Sequence, residues 1–401
     1  MTEHKPSKLI LSRRSVLTGA AGVAGASLTS HFPMPALAQG APYKVGFMLP
    51  YTGTYAKLGK FIDEGFRLFV EQKGGKLGGR AVTYVQVDDE SKPEAGTDNM
   101  NRLVGREKVD AVVGTVHSGV AMAMVKVARD TNTMLVIPNA GANDATGPLC
   151  APNIFRTSFS NWQPNFPMGK VMVDAGHKNV VTMTWRYTAG AEQMGGFKEG
   201  LTAAGGKVVE ELALPFPEVE FQALITRIAN LKPDAVYAFF AGGGAVKFVK
   251  DYAAAGLMKT IPLYGPGFLT DGTLEAQGSA ADGLRTGLHY ADNLDNPANK
   301  AFLAAFKQKT GQEGDIYAVQ GFDAAALLDI GLGAVGGDGA AREKMIAAMA
   351  AAKIDSPRGP LSFNKAHNPI QNVYLREVRN GRNEFVKIAQ ANVDDPARGC
   401  R

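Results

Sequence analysis

The chain has 401 residues, 45% hydrophobic and 20% charged, an ordinary globular composition with length for two domains. Its net charge of +5 is concentrated at the front, where Lys5, Lys8, Arg13 and Arg14 stand against Glu3 within the first 38 residues. The remainder is nearly neutral and shows no basic stripe with interleaved aromatics, so nucleic acid is excluded as an expected partner.

Ser12-Arg13-Arg14-Ser15-Val16-Leu17 is a twin-arginine pattern, followed by a weakly apolar Gly/Ala-rich run and by Ala36-Leu37-Ala38, a small-x-small cleavage site. Residues 1–38 are therefore expected to be a cleaved export signal. Val16 stands where Phe is favoured, which leaves the general export route open beside the twin-arginine one. The run is too short and too rich in Gly to anchor the chain in a membrane, and no Cys follows the cleavage site to carry a lipid. The expected location is the periplasm. In an oxidising compartment Cys150 and Cys400 are expected to pair, with two free thiols as the alternative. The loop they would close is worth about 3–5 kcal/mol in the chain-entropy model.

Along the mature chain, Tyr43 to Leu49 is a predicted strand ended by Pro50. The loop from Tyr51 to Gly59 leads into an amphipathic helix carrying Phe61, Phe66, Leu68, Phe69 and Val70. A second strand covers Val82 to Val87, and a helix is expected from Ala95 to Arg106. Ala111 to Val113 is a short apolar run suited to a strand buried on both faces. Ser118 follows in the N-cap position of a helix reaching Asp130, and Met134 to Ile137 forms the next strand, stopped by Pro138. Strand, loop, helix and strand make a parallel crossover unit with both loops at one end of the sheet. A Ser hydroxyl and free N–H groups at such a helix start form an anion site, although helix capping alone would also explain Ser118.

After a crossing near Phe155 to Asn161 the alternation restarts. Strands are predicted at Val180–Thr184, Val208–Ala213, Ala235–Phe240, Ile261–Tyr264 and Gly283–Leu288, with helices between them. Trp185, Arg186 and Tyr187 are expected in a loop, and Gly242 to Gly244 are expected to allow close backbone approach. Helices at Pro297–Thr310, Ala318–Leu332 and Ala340–Lys353 cover a sheet, and strands near Pro360–Phe363, Val373–Val378 and Phe385–Ile388 close the chain. The fold class is α/β: two doubly wound Rossmann-like lobes joined by a multi-strand hinge. The first lobe is assigned 41–157 plus 293–357, the second 158–292 plus 358–390, and the tail 391–401.

Enzyme chemistry finds little support. His4, His31, His117, His177, His289 and His367 show no metal-ligand spacing. His117 beside Ser118 lacks the Gly-x-Ser-x-Gly setting of a nucleophile elbow, and the first strand–helix turn lacks Gly-x-Gly-x-x-Gly. No metal, cofactor or catalytic residue is expected.

In order along the chain stand Leu49-Pro50-Tyr51-Thr52-Gly53-Thr54-Tyr55, Asp88-Asp89 with Ser91 and Pro93, Val112-Val113-Gly114 with Ser118, Ile137-Pro138, Phe155-Arg156-Thr157 and Gly321-Phe322-Asp323-Ala324. This ordered set resembles the solute-binding proteins of branched-chain amino-acid-type ABC importers, with the type I periplasmic-binding fold. The resemblance covers 43–390 and implies a monomeric receptor that closes on a small ligand and delivers it to a membrane permease.

What the resemblance implies about the site can be carried over position by position. Amino-acid binders hold the ligand carboxylate with a hydroxyl that Ser118 matches and with a Thr whose position is Gly141 here. Asn139 and the backbone of Ala140 are candidate donors in compensation. Their acidic residue for the ammonium group is replaced by Gly267. Three pocket Tyr positions appear as Leu58, Ala189 and Ala241. A lost acid and smaller walls point to a larger carboxylate without an amino group. Tyr55, Trp185, Tyr187 and Phe268 are candidates to stack on a ring, and His117 to donate to the carboxylate, with Arg186 as the alternative counter-charge. The expected ligand is an aromatic carboxylate of benzoate, phenylpropenoate or phenylpyruvate type, with a branched-chain amino acid or amide as the alternative.

Overall fold

The computed structural model describes residues 1–2 and 40–401. The expected export signal over 1–38 thus lies, apart from its first two residues, outside the described residues.

The first sheet contains β1 (Tyr43–Leu49), β2 (Lys76–Leu77), β3 (Arg80–Asp88), β4 (Ala111–Gly114), β5 (Met134–Ile137) and β6 (Ile154–Arg156), in the order β2-β3-β1-β4-β5-β6. All its neighbours are parallel except β2 and β3. Because β4 and β5 are buried on both faces, their sequences are apolar runs rather than alternating ones. Helices α1 (Ala56–Gln72), α2 (Gly96–Asn101) and α3 (Ser118–Thr131) cover this sheet. The single helix expected from Ala95 to Arg106 is broken into a 3₁₀ turn at Pro93–Ala95, α2, and a π turn at Arg102–Arg106. Gly96, Asn99, Asn101 and Gly105 weaken a regular helix there.

The second lobe begins with α4 (Phe166–Asp174), β7 (Asn179–Arg186), α5 (Thr188–Ala203), β8 (Lys207–Pro215), α6 (Gln222–Leu231), β9 (Ala235–Phe239), α7 (Gly242–Ala254), β10 (Leu263–Pro266), α8 (Leu274–Gln277) and β11 (Arg285–Leu288). The chain then supplies α9 (Pro297–Thr310), α10 (Ile316–Gly333) and α11 (Arg342–Ala350), of which α9 and α10 pack on α1, and α11 on α10. Strands β12 (Ile354–Ser356), β13 (Gly359–Phe363), β14 (Pro369–Arg379) and β15 (Arg382–Val393) finish the second sheet. Its order is β12-β13-β14-β11-β10-β9-β7-β8, with β15 on β14. Here β7 to β11 run parallel, and β14 is antiparallel to β11.

Helix α10 is long and apolar enough to span a membrane by composition, yet it is largely buried against its neighbours. Its contact with α1 explains two glycines. A Cβ on Gly65 would lie 1.9 Å from the Ala318 carbonyl oxygen, and one on Gly321 would lie 1.9 Å from that of Ile62, so the backbones meet where neither residue has a side chain.

Three chain crossings connect the lobes, and Arg358 ties them together. Its buried guanidinium pairs with Asp323 at 3.0 Å and donates to the carbonyl of Thr157, to that of Ser158 (3.1 Å) and to Gln371 Oε1 (2.7 Å). Burial pushes the Asp323 carboxyl up to about 6 despite this partner. Cys150 and Cys400 form a disulfide spanning 250 residues of sequence, which fastens the tail to the loop after Pro148.

Candidate functional site

In doubly wound sheets, ligands bind beyond the carboxyl ends of the strands where the order reverses. The first sheet reverses between β1 and β4, the second between β7 and β9. The loops leaving those four strands face one another across a narrow cavity of about 20 Å³, room for about one water molecule.

From the first lobe, Tyr55 and Leu58 arrive at the start of α1, Val116 and Ser118 after β4, and Asn139 and Gly141 after β5. From the second, Tyr187 and Ala189 follow β7, Phe239 and Ala241 end β9, and Phe268 follows β10. Phe159 and Asn161 enter from the first crossing, Gln193 from α5 and Tyr317 from α10. None of these lining side chains is charged. The four long helices that begin here, α1, α3, α5 and α7, carry no acidic residue in their first turns. Their N-terminal N–H groups and dipoles thus bring partial positive charge to the cavity.

The polar contacts are concentrated on one side. Asn161 Nδ2 donates to Ser118 Oγ (3.3 Å) and to Glu192 Oε2 (2.7 Å), while the Asn161 amide donates to the Gly141 carbonyl (2.6 Å). Glu192, on α5, also accepts from the Asn143 amide at 3.0 Å and so bridges the lobes. Its carboxyl pKa is raised, chiefly by burial. Asn139 Nδ2 donates to Gln320 Oε1 at 2.7 Å. Arg156, fully buried, donates to the Ala142 carbonyl (2.7 Å) and to Thr146, which braces the loop beyond Gly141.

On the aromatic side, the Tyr55 and Tyr187 hydroxyls meet across the cleft at 3.0 Å. Phe159 and Phe268 pack with ring centroids 4.7 Å apart. Gly242 lets the lobes close over this wall: its φ is +54°, and a Cβ there would lie 2.4 Å from the Thr54 carbonyl oxygen.

Four expected positions do not line the cavity. Strand β7 continues through Arg186, so Trp185 is a strand residue rather than a loop residue. Its ring is buried between Phe216 and Phe240, and its Nε1 donates to the Glu218 carbonyl at 2.7 Å. His117, not Ser118, is the N-cap of α3; its Nδ1 accepts from the Gly119 amide at 3.1 Å, which leaves Ser118 as the first helical residue. The His117 ring packs on Tyr187 and Phe216, and burial pushes its pKa down to about 4. The Ala140 amide is engaged by the Thr115 carbonyl at 2.9 Å. Gly267 faces the buried Arg376–Asp271 pair, where a Cβ would come within 2.4 Å of Arg376 Nη2. Arg186, the alternative counter-charge, is exposed and also outside the lining.

Five lining residues were not singled out as site residues from sequence: Val116, Phe159, Asn161, Gln193 and Phe239. Tyr317 is a sixth, hidden in the pattern of a covering helix. The break of pattern at Phe155 to Asn161 was the one available signal. Among the described residues, no group of three or more His, Cys, Asp or Glu is placed to hold a metal ion.

A profile of periplasmic binding proteins matches residues 42–383. Leu/Ile/Val-binding protein homolog 6 of Brucella melitensis is 31% identical over 342 residues, covering 84% of this chain and 87% of the relative. A solute-binding protein of an ABC transporter from R. palustris, solved in complex with benzoate, is 53% identical with a TM-score of 0.88, covering 90% of this chain and 99% of that one. Another from Rhodopseudomonas palustris BisB5, in complex with 3,4-dihydroxy benzoic acid, is 32% identical with a TM-score of 0.83, covering 88% and 99% of the two chains.

Proposed function

Because this chain belongs to the periplasmic binding protein family, we propose that it is the receptor of an ABC importer and that its ligand is a benzoate-type aromatic carboxylate. The observation that carries the ligand class is a cavity entered by four helix N-termini, walled by aromatic rings, and lined by no acidic side chain. A carboxylate gains from the helix ends and from the Ser118 hydroxyl. An α-ammonium group would be buried there without an anionic partner, at a cost of several kcal/mol. Glu192 meets Ser118 through Asn161, and its carboxylate already accepts from Asn161 and from the Asn143 amide.

Ring burial supplies the second part of the affinity. About 150 Å² of aromatic surface at about 25 cal/mol/Å² is worth roughly 4 kcal/mol, and each charge-assisted bond to the carboxylate adds about 1.5–3 kcal/mol. Within this reading the protein acts as a non-catalytic monomer in the periplasm, reached through a cleaved signal over 1–38. It passes its ligand to a membrane permease. The moving bodies are 41–157 with 293–357 and 158–292 with 358–390. Support for that division comes from the packing of α9 and α10 on α1, while β12 pairs with β13 at the boundary.

Calorimetric titration of the mature protein with benzoate, hydroxybenzoates, leucine, valine and their amides tests the reading. Micromolar or tighter binding of the aromatic acids, with no heat from the amino acids, is the expected result. Binding of leucine or valine but of no aromatic acid would overturn it.

A further inference from the structure

We propose that the cavity has a second oxygen-recognition pole, formed by Tyr317 with the Tyr55–Tyr187 pair, which takes a ring hydroxyl of the bound aromatic acid. This rests on the aromatic-carboxylate reading above and narrows the ligand to hydroxybenzoates.

Three tyrosines line the same cavity. Tyr55 and Tyr187 share one hydrogen bond of 3.0 Å, which uses one of the three hydroxyl hydrogens. The Tyr317 hydroxyl, on a side chain 1% exposed, makes no hydrogen bond among the described residues. Two donor hydrogens are thus left without an acceptor among the described residues, a costly arrangement unless one arrives with the ligand. A phenolic oxygen on the ring is such an acceptor, and its own hydrogen can go to the spare lone pairs of the tyrosines.

The carboxylate is an unsuitable occupant of this pole. Burial, with Asp271 and Asp315 acting in the same direction, keeps the Tyr317 hydroxyl neutral, so it offers a hydrogen-bond donor and no positive charge. One Asp315 oxygen, Oδ2, is buried without a hydrogen-bond partner, and burial already pushes that carboxyl up to about 7, so a second carboxylate beside it would be unfavourable. Ser118, by contrast, has Asn161 as its neighbour and an uncompensated helix start behind it. A neutral hydroxyl at Tyr317 and a carboxylate at Ser118 therefore use the two ends in the one sense that their electrostatics allow. Phe159, Phe239 and Phe268 add apolar lining against which the ring can pack.

The test compares benzoate, 3-hydroxybenzoate, 4-hydroxybenzoate and 4-methylbenzoate on the wild type and on Tyr317→Phe, by calorimetry. The wild type should bind at least one hydroxybenzoate about tenfold more tightly than benzoate and than 4-methylbenzoate. Tyr317→Phe should erase that preference, bringing the ratio of hydroxybenzoate to benzoate affinity to about one. The ligand series on the wild type is decisive even if the variant folds poorly, and Tyr187→Phe offers a second route to the same pole. Equal weakening of benzoate and hydroxybenzoates by Tyr317→Phe would overturn the proposal, because the hydroxyl would then serve the carboxylate. So would a wild type that binds benzoate or 4-methylbenzoate better than both hydroxybenzoates. A wild type that binds no aromatic acid would fail at the preceding step, in the ligand class itself.

Discussion

The two walls of the cavity are built from the same kind of strand–helix unit and differ in what they present. The first-lobe wall offers Ser118, Asn139 and Gly141 at strand ends beside the start of α3. The second-lobe wall offers Ala189, Ala241, Phe239 and Phe268. One wall is polar at Ser118 and Asn139, and the other is mainly apolar around two alanines, with the Tyr187 hydroxyl and Gln193 as its polar groups. The contrast separates two tasks that one pocket must perform. Orientation comes from a few directed donors, and capacity comes from removing side-chain volume opposite them. A site with charged groups on both walls would fix both ends of a small zwitterion, whereas this one has no charged lining side chain and leaves room for a ring.

Refilling the hollow wall should produce the largest effect. Ala241→Tyr places a ring where the ligand's ring is proposed to lie, and should cost about a thousandfold in affinity for benzoate, matching roughly 4 kcal/mol of ring burial. Calorimetry reads this directly, with the melting temperature as a control for folding, and an unchanged Kd would mean that the alanine does not make room for the ligand. On the opposite wall, Ser118→Ala should weaken benzoate by about ten- to a hundredfold, the value of one hydrogen bond to a charged group, and should change the affinity for neutral benzamide far less. Equal losses for acid and amide would remove the polar wall's role in reading charge.

The smallest effect concerns stability and belongs to the first-lobe side alone. His117 is buried and held neutral, with its pKa pushed from 6.5 down to about 4. Between those values the unfolded chain binds the proton and the folded one does not. The contribution to stability is therefore full above about pH 6.5, is lost as pH falls toward 4, and is level below that. His117→Asn keeps an acceptor for the Gly119 amide and should flatten the fall in melting temperature between pH 6.5 and 4. An identical pH profile in the variant would show that other groups set this slope.

The sequence by itself was sufficient for the alternation of strands and helices, the family resemblance and the polarity of the first wall. Ser118, Asn139, Gly141, Ala189 and Ala241 each sit at a strand-to-helix transition, and such transitions are local: an apolar run ends, a helical period begins, and the residue between them lies at the sheet's carboxyl edge. Trp185 shows the limit of that logic. One more turn of pleat in β7 moves it from loop to strand, and the period of 2 sends its ring into the core instead of the cleft. His117 and Ser118 exchanged roles for a similar reason, since a shift of one residue decides which caps and which is capped. Phe159, Asn161, Gln193 and Tyr317 depended on the tertiary structure. They reach the cavity from a chain crossing, from the second turn of α5 and from a helix more than 100 residues beyond the first lobe's sheet. No local pattern marks such residues, because their place depends on how two separately formed lobes meet. The orphan hydroxyl of Tyr317 is visible only once that closed cavity exists, since an unpaired donor is defined by everything around it.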